Sequence, residues 1–298
     1  MTGARVGIIG AGAVGQTVAA LLAAADWCER LQIASGSAAS AGALVADVED
    51  MLFQTGNPTL VQAVPVEEMR AADAVVVCPR APFANGATVD VRMAGIHANA
   101  PVIVALGRAL ADYSGVVVVV TNPVDVMAAL FARASGAPTV FGVGAATDTA
   151  RYRGALARHL GVSVPEVSGR VIGEHGDGAV VCAHATRVRG QPVQVPVEEI
   201  RAELRARPGR ISAGIGRTRI GPAGAVLLAL RAALGLHDTV IELSVPAEGV
   251  GVPVKFSGGV PTVLPVDLAP EEIRALAISR ARQRRLVGEL SHLLEGTP

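Results

Sequence analysis

His175 sits in Gly173-Glu174-His175-Gly176-Asp177, where small neighbours leave room for a ligand to approach its ring. An imidazole with an ordinary pKa of about 6.5 exchanges a proton at working pH, so this residue suits general acid–base chemistry. A single histidine in a loop reads equally as a structural or solvated residue. Asp148 and Arg151 lie upstream, three apart in a helical stretch, and share one helix face. On spacing alone they could form an ordinary surface ion pair. Thr121-Asn122-Pro123-Val124-Asp125 follows a five-valine run. The proline ends that strand and starts a helix, leaving Asn122 at the strand's carboxyl edge. An amide there can hydrogen-bond a substrate oxygen while its backbone faces a cofactor ring, although an Asx-Pro turn fits the same residues.

These groups need a scaffold, and the N-terminus supplies its first element. Arg5–Ile9 reads as a buried strand that runs into Gly10-Ala11-Gly12-Ala13-Val14-Gly15, followed by an alanine-rich helix from Gln16 to Ala25. Gly10, Gly12 and Gly15 permit a tight turn and close backbone approach. With Ala13 and Val14 at the helix start, free N–H groups point at a dinucleotide pyrophosphate. The second strand, Leu31–Ala34, should be followed about 20 residues past the last glycine by an acid that accepts from the adenosine ribose. Ser35 stands there instead, with Gly36 and Ser37 behind it. Without that carboxylate nothing repels a 2′-phosphate, and two hydroxyls plus loop N–H groups could hold one. The expected cofactor is therefore NADP(H) slightly ahead of NAD(H), and a relaxed site taking either stays open. Further on, the sequence predicts helices over Ser40–Phe53 and Val66–Ala72 and strands over Ala74–Cys78, Val102–Leu106 and Val116–Val120. Buried parallel strands read as such continuous apolar runs. Alternating stretches around Val180–Arg187 and Gln191–Val195 predict antiparallel strands. An arginine-rich helix over Glu198–Arg210, a hairpin or meander through Leu236–Leu264 and a last helix over Pro270–Leu294 complete the chain.

Taken in order, the glycine fingerprint, Thr121–Asp125, Asp148-Thr149-Ala150-Arg151-Tyr152-Arg153 and Gly173–Asp177 resemble the lactate/malate dehydrogenase family over nearly the whole chain. The resemblance implies a Rossmann-type, doubly wound parallel sheet over residues 1–145 and a mixed α+β substrate domain over 146–298. It implies that Asp148 orients the ring of His175, that Arg151 grips a substrate carboxylate through a bidentate fork, and that Asn122 meets the substrate oxygen. Arg153 should face elsewhere. The helix over Ser40–Phe53 corresponds to one that packs on a second subunit, implying a homodimer or homotetramer. Gly216–Ala223 resembles the segment whose threonine, Thr218, lines the far end of the substrate pocket, and its Gly-Pro-Ala wording leans toward the malate branch. Arg217 and Arg219 flank that threonine, and either could meet a distal anion. Two departures accompany the match. The ribose acid is missing, with a Gly-Ser pair similar to that of NADP-dependent malate dehydrogenases but without their following arginine. Phe83–Val91 corresponds to the family's lid, yet its two arginines fall on Phe83 and Val89. Arg80, at the nicotinamide end of the cleft, is the preferred replacement, with Arg92 the other.

Composition bounds the reading. With 51% hydrophobic and 17% charged residues the chain has ample core and no signature of disorder. A formal net charge of zero offers no basic surface for nucleic acid and no polybasic arm for a membrane. The early first strand leaves no room for a signal peptide and points to the cytoplasm. Three cysteines show no metal-ligand spacing and are expected to be reduced, with no metal site. Lys255 is the single lysine, so an arginine carries less functional weight here than usual. The leading expectation is a dehydrogenase of a small 2-oxo or 2-hydroxy acid. The alternatives are a reductase of a modified oxo acid with a different distal anion, such as phosphonopyruvate, and a cofactor-binding protein with little catalysis.

Overall fold

The computed structural model describes residues 3–83 and 95–295. Of the expected lid only Phe83 falls within them; Val89 and Arg92 lie outside the described residues.

Short β-branched runs alternate with alanine-rich helices through the first half. They form β1 (Ala4–Ile9), α1 (Ala13–Ala23), β2 (Cys28–Ala34), α2 (Ala38–Thr55), β3 (Leu60–Ala63), β4 (Ala74–Val77), α3 (Ile96–Ala109), β5 (Val116–Val119), α4 (Val124–Ser135) and β6 (Thr139–Gly142). Their strands are ordered β3-β2-β1-β4-β5-β6 and every pairing is parallel. This is the doubly wound order, whose carboxyl edge opens a crevice where the winding reverses at β1 and β4. The valines of β4 and β5 are almost wholly buried because helices cover both faces.

The second half continues the same sheet with a different rule. After α5 (Gly144–Leu160) come β7 (Val167–Ser168), β8 (Val171–Gly173), β9 (Ala179–Val181), β10 (Arg187–Val188), β11 (Gln191–Pro192), α6 (Val197–Ile215) and α7 (Ile220–Ala233). Then follow β12 (Thr239–Val245), β13 (Val250–Ser257), β14 (Val260–Val263), α8 (Pro270–Glu289) and α9 (His292–Glu295). From β6 the order runs β12-β13-β8-β9, all antiparallel, with β14 on β13 and β11-β10-β7 as a separate small sheet. The fold is thus α/β, with a parallel-dominated sheet leading into an antiparallel extension.

Two expected elements differ. Val102–Leu106 is not a strand but the middle of α3. Its apolar run is too short for periodicity to decide between helix and strand. Packing decides it: Ala100, Ile103, Val104 and Gly107 are buried on one side while Val102 is exposed. The stretches around Val180–Arg187 and Gln191–Val195 are shorter and more broken than their alternation suggests. Strand pairing stops at Val181, resumes at Arg187, and ends at Pro192, which has no N–H to extend a ladder.

The seam between the parallel and antiparallel parts has little backbone to hold it. β6 and β12 share a single pairing, Gly142 with Ser244. Side chains close it instead: Phe141 of β6 meets Phe256 of β13 edge-on, with centroids 5.5 Å apart and an interplanar angle of 73°. Phe256 is fully buried, so Phe256→Ala should cost roughly 3–5 kcal/mol of stability. Urea unfolding of the two proteins measures this, and a loss below about 1 kcal/mol would show that the seam is held elsewhere.

Candidate active site

Gly10 to Gly15 turn β1 into α1 in a way that few other residues would permit. Gly10 has φ +121°, and a Cβ on it would come within 2.9 Å of the Cys78–Pro79 backbone. A Cβ on Gly15 would stand 1.8 Å from the Gly10 carbonyl oxygen. Gly12 differs, since nothing lies within 4 Å of where its Cβ would be, which leaves space over the helix start. The first turn of α1 carries no acidic side chain to compete with an anion. Ser35 Oγ accepts from Ala11 N–H at 3.4 Å, and Ser37 caps α2, its hydroxyl accepting from Ser40 N–H at 3.2 Å. These residues line one side of a cleft of about 960 Å³. The opposite wall is Cys78–Phe83, Asn99, Val102 and Val120–Asn122. The turn and the open wall fit an extended dinucleotide.

The cleft runs into a second cavity of about 450 Å³, and Val14, Arg80, Val120, Asn122, Arg217 and Thr218 line both. Asn122 therefore sits at the junction. Among the described residues its side-chain oxygen is buried without a hydrogen-bond partner, as expected of an amide that awaits a bound group. Beyond the junction lie Thr147, Arg151 and His175.

His175, Asp148 and Arg151 converge there. His175 Nδ1 is 2.6 Å from Asp148 Oδ2, and Arg151 Nη1 is 3.4 Å from Asp148 Oδ1. The three side chains are only 5–10% exposed. One aspartate thus holds the imidazole with one oxygen and the guanidinium with the other. Such a carboxylate fixes the ring tautomer and orientation, leaving Nε2 to act. Arg153 points away and donates to the Gly169 carbonyl at 2.8 Å.

Three buried braces make this geometry, and none was marked in the sequence. Thr149, beside Asp148 on α5, ties that helix to β8: its hydroxyl accepts from Val171 N–H at 2.9 Å and donates to Val171 C=O at 3.3 Å. Asp125 accepts from the backbone N–H of His175 at 2.8 Å, and Ser244 Oγ donates to its other oxygen. Asn99 accepts from Ala81 N–H at 2.9 Å and donates to the Asn122 carbonyl at 2.8 Å, joining the segment after β4 to that after β5 within one wall of the cleft. Asp125 and Thr149 both lie inside quoted motifs, Thr121–Asp125 and Asp148–Arg153, but neither motif states the contact its residue makes.

The remaining expected residues divide. Arg80 lines both cavities and stacks on Phe83, its guanidinium carbon 4.6 Å from the ring centroid. Thr218 and Arg217 line both as well. Arg219 is exposed at the start of α7 and lines neither, so of the two arginines flanking Thr218 it is Arg217 that faces the cleft. Ser35, Gly36 and Ser37 line the dinucleotide cleft, whereas Gly15 packs beneath the turn without lining it. Burial pushes the Cys78 thiol up to about 12, and its Sγ donates to the Gly10 carbonyl at 3.4 Å. It is wall material rather than a nucleophile. No group of three metal-binding side chains occurs among the described residues.

Comparison with known proteins converges on the same reading. The family model described as lactate/malate dehydrogenase, NAD binding domain, matches residues 4–142. An L-2-hydroxycarboxylate dehydrogenase (NAD(P)(+)) from Methanocaldococcus jannaschii is 30% identical, covering 97% of this chain and 100% of the relative. The chain belongs to the lactate/malate dehydrogenase family. A malate dehydrogenase from Thermomicrobium roseum is 31% identical over 97% of the chain and 99% of its own. The solved malate dehydrogenase of Salinibacter ruber superposes with a TM-score of 0.83 at 26% identity, covering 98% of this chain and 99% of that one. Within this family frame, Asp125 is the brace whose removal is most informative. Burial raises its carboxyl above the usual value, opposed by hydrogen bonds from Ser244 and the His175 N–H. The neutral form that burial favours is close in shape to asparagine. Asp125→Asn should therefore keep most turnover, whereas Asp125→Ala orphans the His175 N–H and should lower kcat roughly tenfold or more. Steady-state kinetics on both variants check this, and equal losses would remove the positioning role.

Proposed function

We propose that this chain reduces a small 2-oxo acid to the 2-hydroxy acid, and runs the reverse, with NADP(H) favoured slightly over NAD(H). The observation that carries this reading is Asp148 holding His175 and Arg151 together at the inner end of a dinucleotide cleft. A nicotinamide dinucleotide supplies the hydride when bound. Arg151 takes the C1 carboxylate through its planar fork, which sets the carbonyl carbon against the junction at Asn122. Asn122 orients the carbonyl oxygen, and His175 gives that oxygen its proton from Nε2. Asp148 keeps the ring in line and stabilises its charged form. In the oxidative direction His175 takes the proton back. Arg80, stacked on Phe83 at the junction, supplies positive charge toward the reacting oxygen, the work that a lid arginine would otherwise do.

The cofactor preference rests on what surrounds Ser35. Hydroxyls of Ser35, Ser37 and Ser40 line this part of the cleft, and the first turn of α2 carries no acid. A helix start of this kind favours a phosphate over a bare ribose hydroxyl. Two further parts of the reading go with it: a division near residue 145, where α5 begins, and a homodimer or homotetramer built on α2, whose Phe53 is 80% exposed. No helix among the described residues is long and apolar enough to cross a membrane, in keeping with a cytoplasmic enzyme. A binding protein without catalysis has no physical reason to hold a buried His–Asp–Arg set in register.

Oxidation of NADPH and NADH with oxaloacetate and pyruvate tests the proposal directly. His175→Asn should lower kcat/KM by roughly 10²–10⁴-fold without weakening cofactor binding. Ser35→Asp should cut kcat/KM for NADPH more than about tenfold relative to NADH. Cofactor binding with no turnover of any 2-oxo acid would overturn the reading.

A further inference from the structure

The substrate cavity has a far wall that the assigned residues do not use. Arg205, Pro208, Gly209 and Ser212 of α6 line it, at spacings of three and four that put them on one helix face. Arg217 closes that wall from the turn before α7. Gly209 and Ser212 are small, and nothing lies within 4 Å of where a Cβ on Gly209 would stand. Arg205 lines the substrate cavity but not the dinucleotide cleft, so it marks the end remote from the cofactor.

Charge separates this face from the rest of α6. Arg201 pairs with Glu198, and Arg207 and Arg210 both pair with Glu203. Among the described residues, no carboxylate lies in ion-pair range of Arg205 or Arg217. Asp177 is the one carboxylate lining the same cavity, and it forms no ion pair with either. On α6, Arg201, Arg207 and Arg210 each have a carboxylate partner, whereas Arg205, which lines the cavity, has none among the described residues.

Resting on the oxo-acid reading above, we propose that Arg205 and Arg217 form a distal anion site, and that the substrate class is a 2-oxo acid bearing a tetrahedral dianion such as a phosphonate at its far end. Arg151 holds the C1 carboxylate on α5, and the second anion points to the α6–α7 wall, between Arg205, which lines only the substrate cavity, and Arg217, which lines both cavities. Two guanidinium groups arriving from different elements bring two positive charges, one more than a carboxylate neutralises, whereas a phosphonate carries close to two negative charges. Three oxygens arranged tetrahedrally accept from both forks. The open helix face gives such a group the room it needs.

The test compares wild type with the double variant Arg205→Ala/Arg217→Ala, using 3-phosphonopyruvate, oxaloacetate and pyruvate. Arg207→Ala, whose guanidinium pairs with Glu203, is the control. In wild type, kcat/KM should rank phosphonopyruvate first. The ratio of phosphonopyruvate to pyruvate should fall roughly 10- to 100-fold in the double variant and stay put in Arg207→Ala. Equal losses on all three substrates, or no wild-type preference for the phosphonate, would overturn the site. Calorimetric titration of 3-phosphonopyruvate and pyruvate in the presence of NADP⁺ separates this inference from the reductase reading. A phosphonate preference abolished by the double variant, without turnover of any oxo acid, would keep the site and remove the reductase. Indifference of that binding to the double variant would remove the site even from an active reductase.

Discussion

The Asp148 carboxylate is the constraint on which the site depends. It is buried, it holds the His175 ring with one oxygen and Arg151 with the other, and it lies 27 residues from the histidine along the chain. A buried carboxylate is tolerable only when charge and hydrogen bonds compensate it. Part of that compensation comes from His175 and Arg151, the two groups to which the proposed function gives the proton transfer and the substrate carboxylate. Removing Arg151 or His175 takes away one of the groups that compensate that carboxylate.

Much of the fold serves to keep that contact in register. Thr149 hydrogen-bonds both backbone groups of Val171, so α5 and β8 cannot slide past one another without breaking two buried bonds. β8 hands the chain to His175, whose backbone is tied to Asp125 at the start of α4. From behind, Ser279 on α8 accepts from the Glu174 N–H at 2.7 Å. Asn99 performs the same service at the junction, joining the segment after β4 to that after β5. The turn after β1 and the loop after β8 lie in different halves, and Asp125, bonded to the His175 N–H and to Ser244 of β12, crosses between them.

The parts legible in the sequence are those whose chemistry is local. Glycines at Gly10, Gly12 and Gly15 between a strand and a helix, a proline after Asn122, and a three-residue spacing between Asp148 and Arg151 each state a local geometry. The doubly wound parallel sheet was implied by the family resemblance, and its strand order came from the fold. Contacts made across long stretches of chain by ordinary-looking residues were not legible. Thr149, Asn99 and Ser244 are common residue types in unremarkable surroundings, and only the folded chain shows that their hydrogen bonds cross between elements. The cavity-facing role of Arg205 was hidden in the same way, because α6 carries arginines on several faces and nothing local tells the paired from the unpaired. Val102–Leu106 failed for the opposite reason. Its β-branched run satisfies a strand on its own terms, and packing of one face in the core made it helix.

The central claim is that this constellation brings a hydride to the carbonyl carbon of a 2-oxo acid while His175 protonates the oxygen. Its most direct measurement is isotope transfer. NADPH carrying deuterium on the transferred position of C4 is incubated with the protein and each candidate oxo acid, and the product is read by NMR. The account predicts a 2-hydroxy acid with deuterium at C2 and the solvent-exchangeable proton on oxygen. Consumption of the oxo acid without deuterium at C2, or label recovered unchanged in the cofactor, would contradict it.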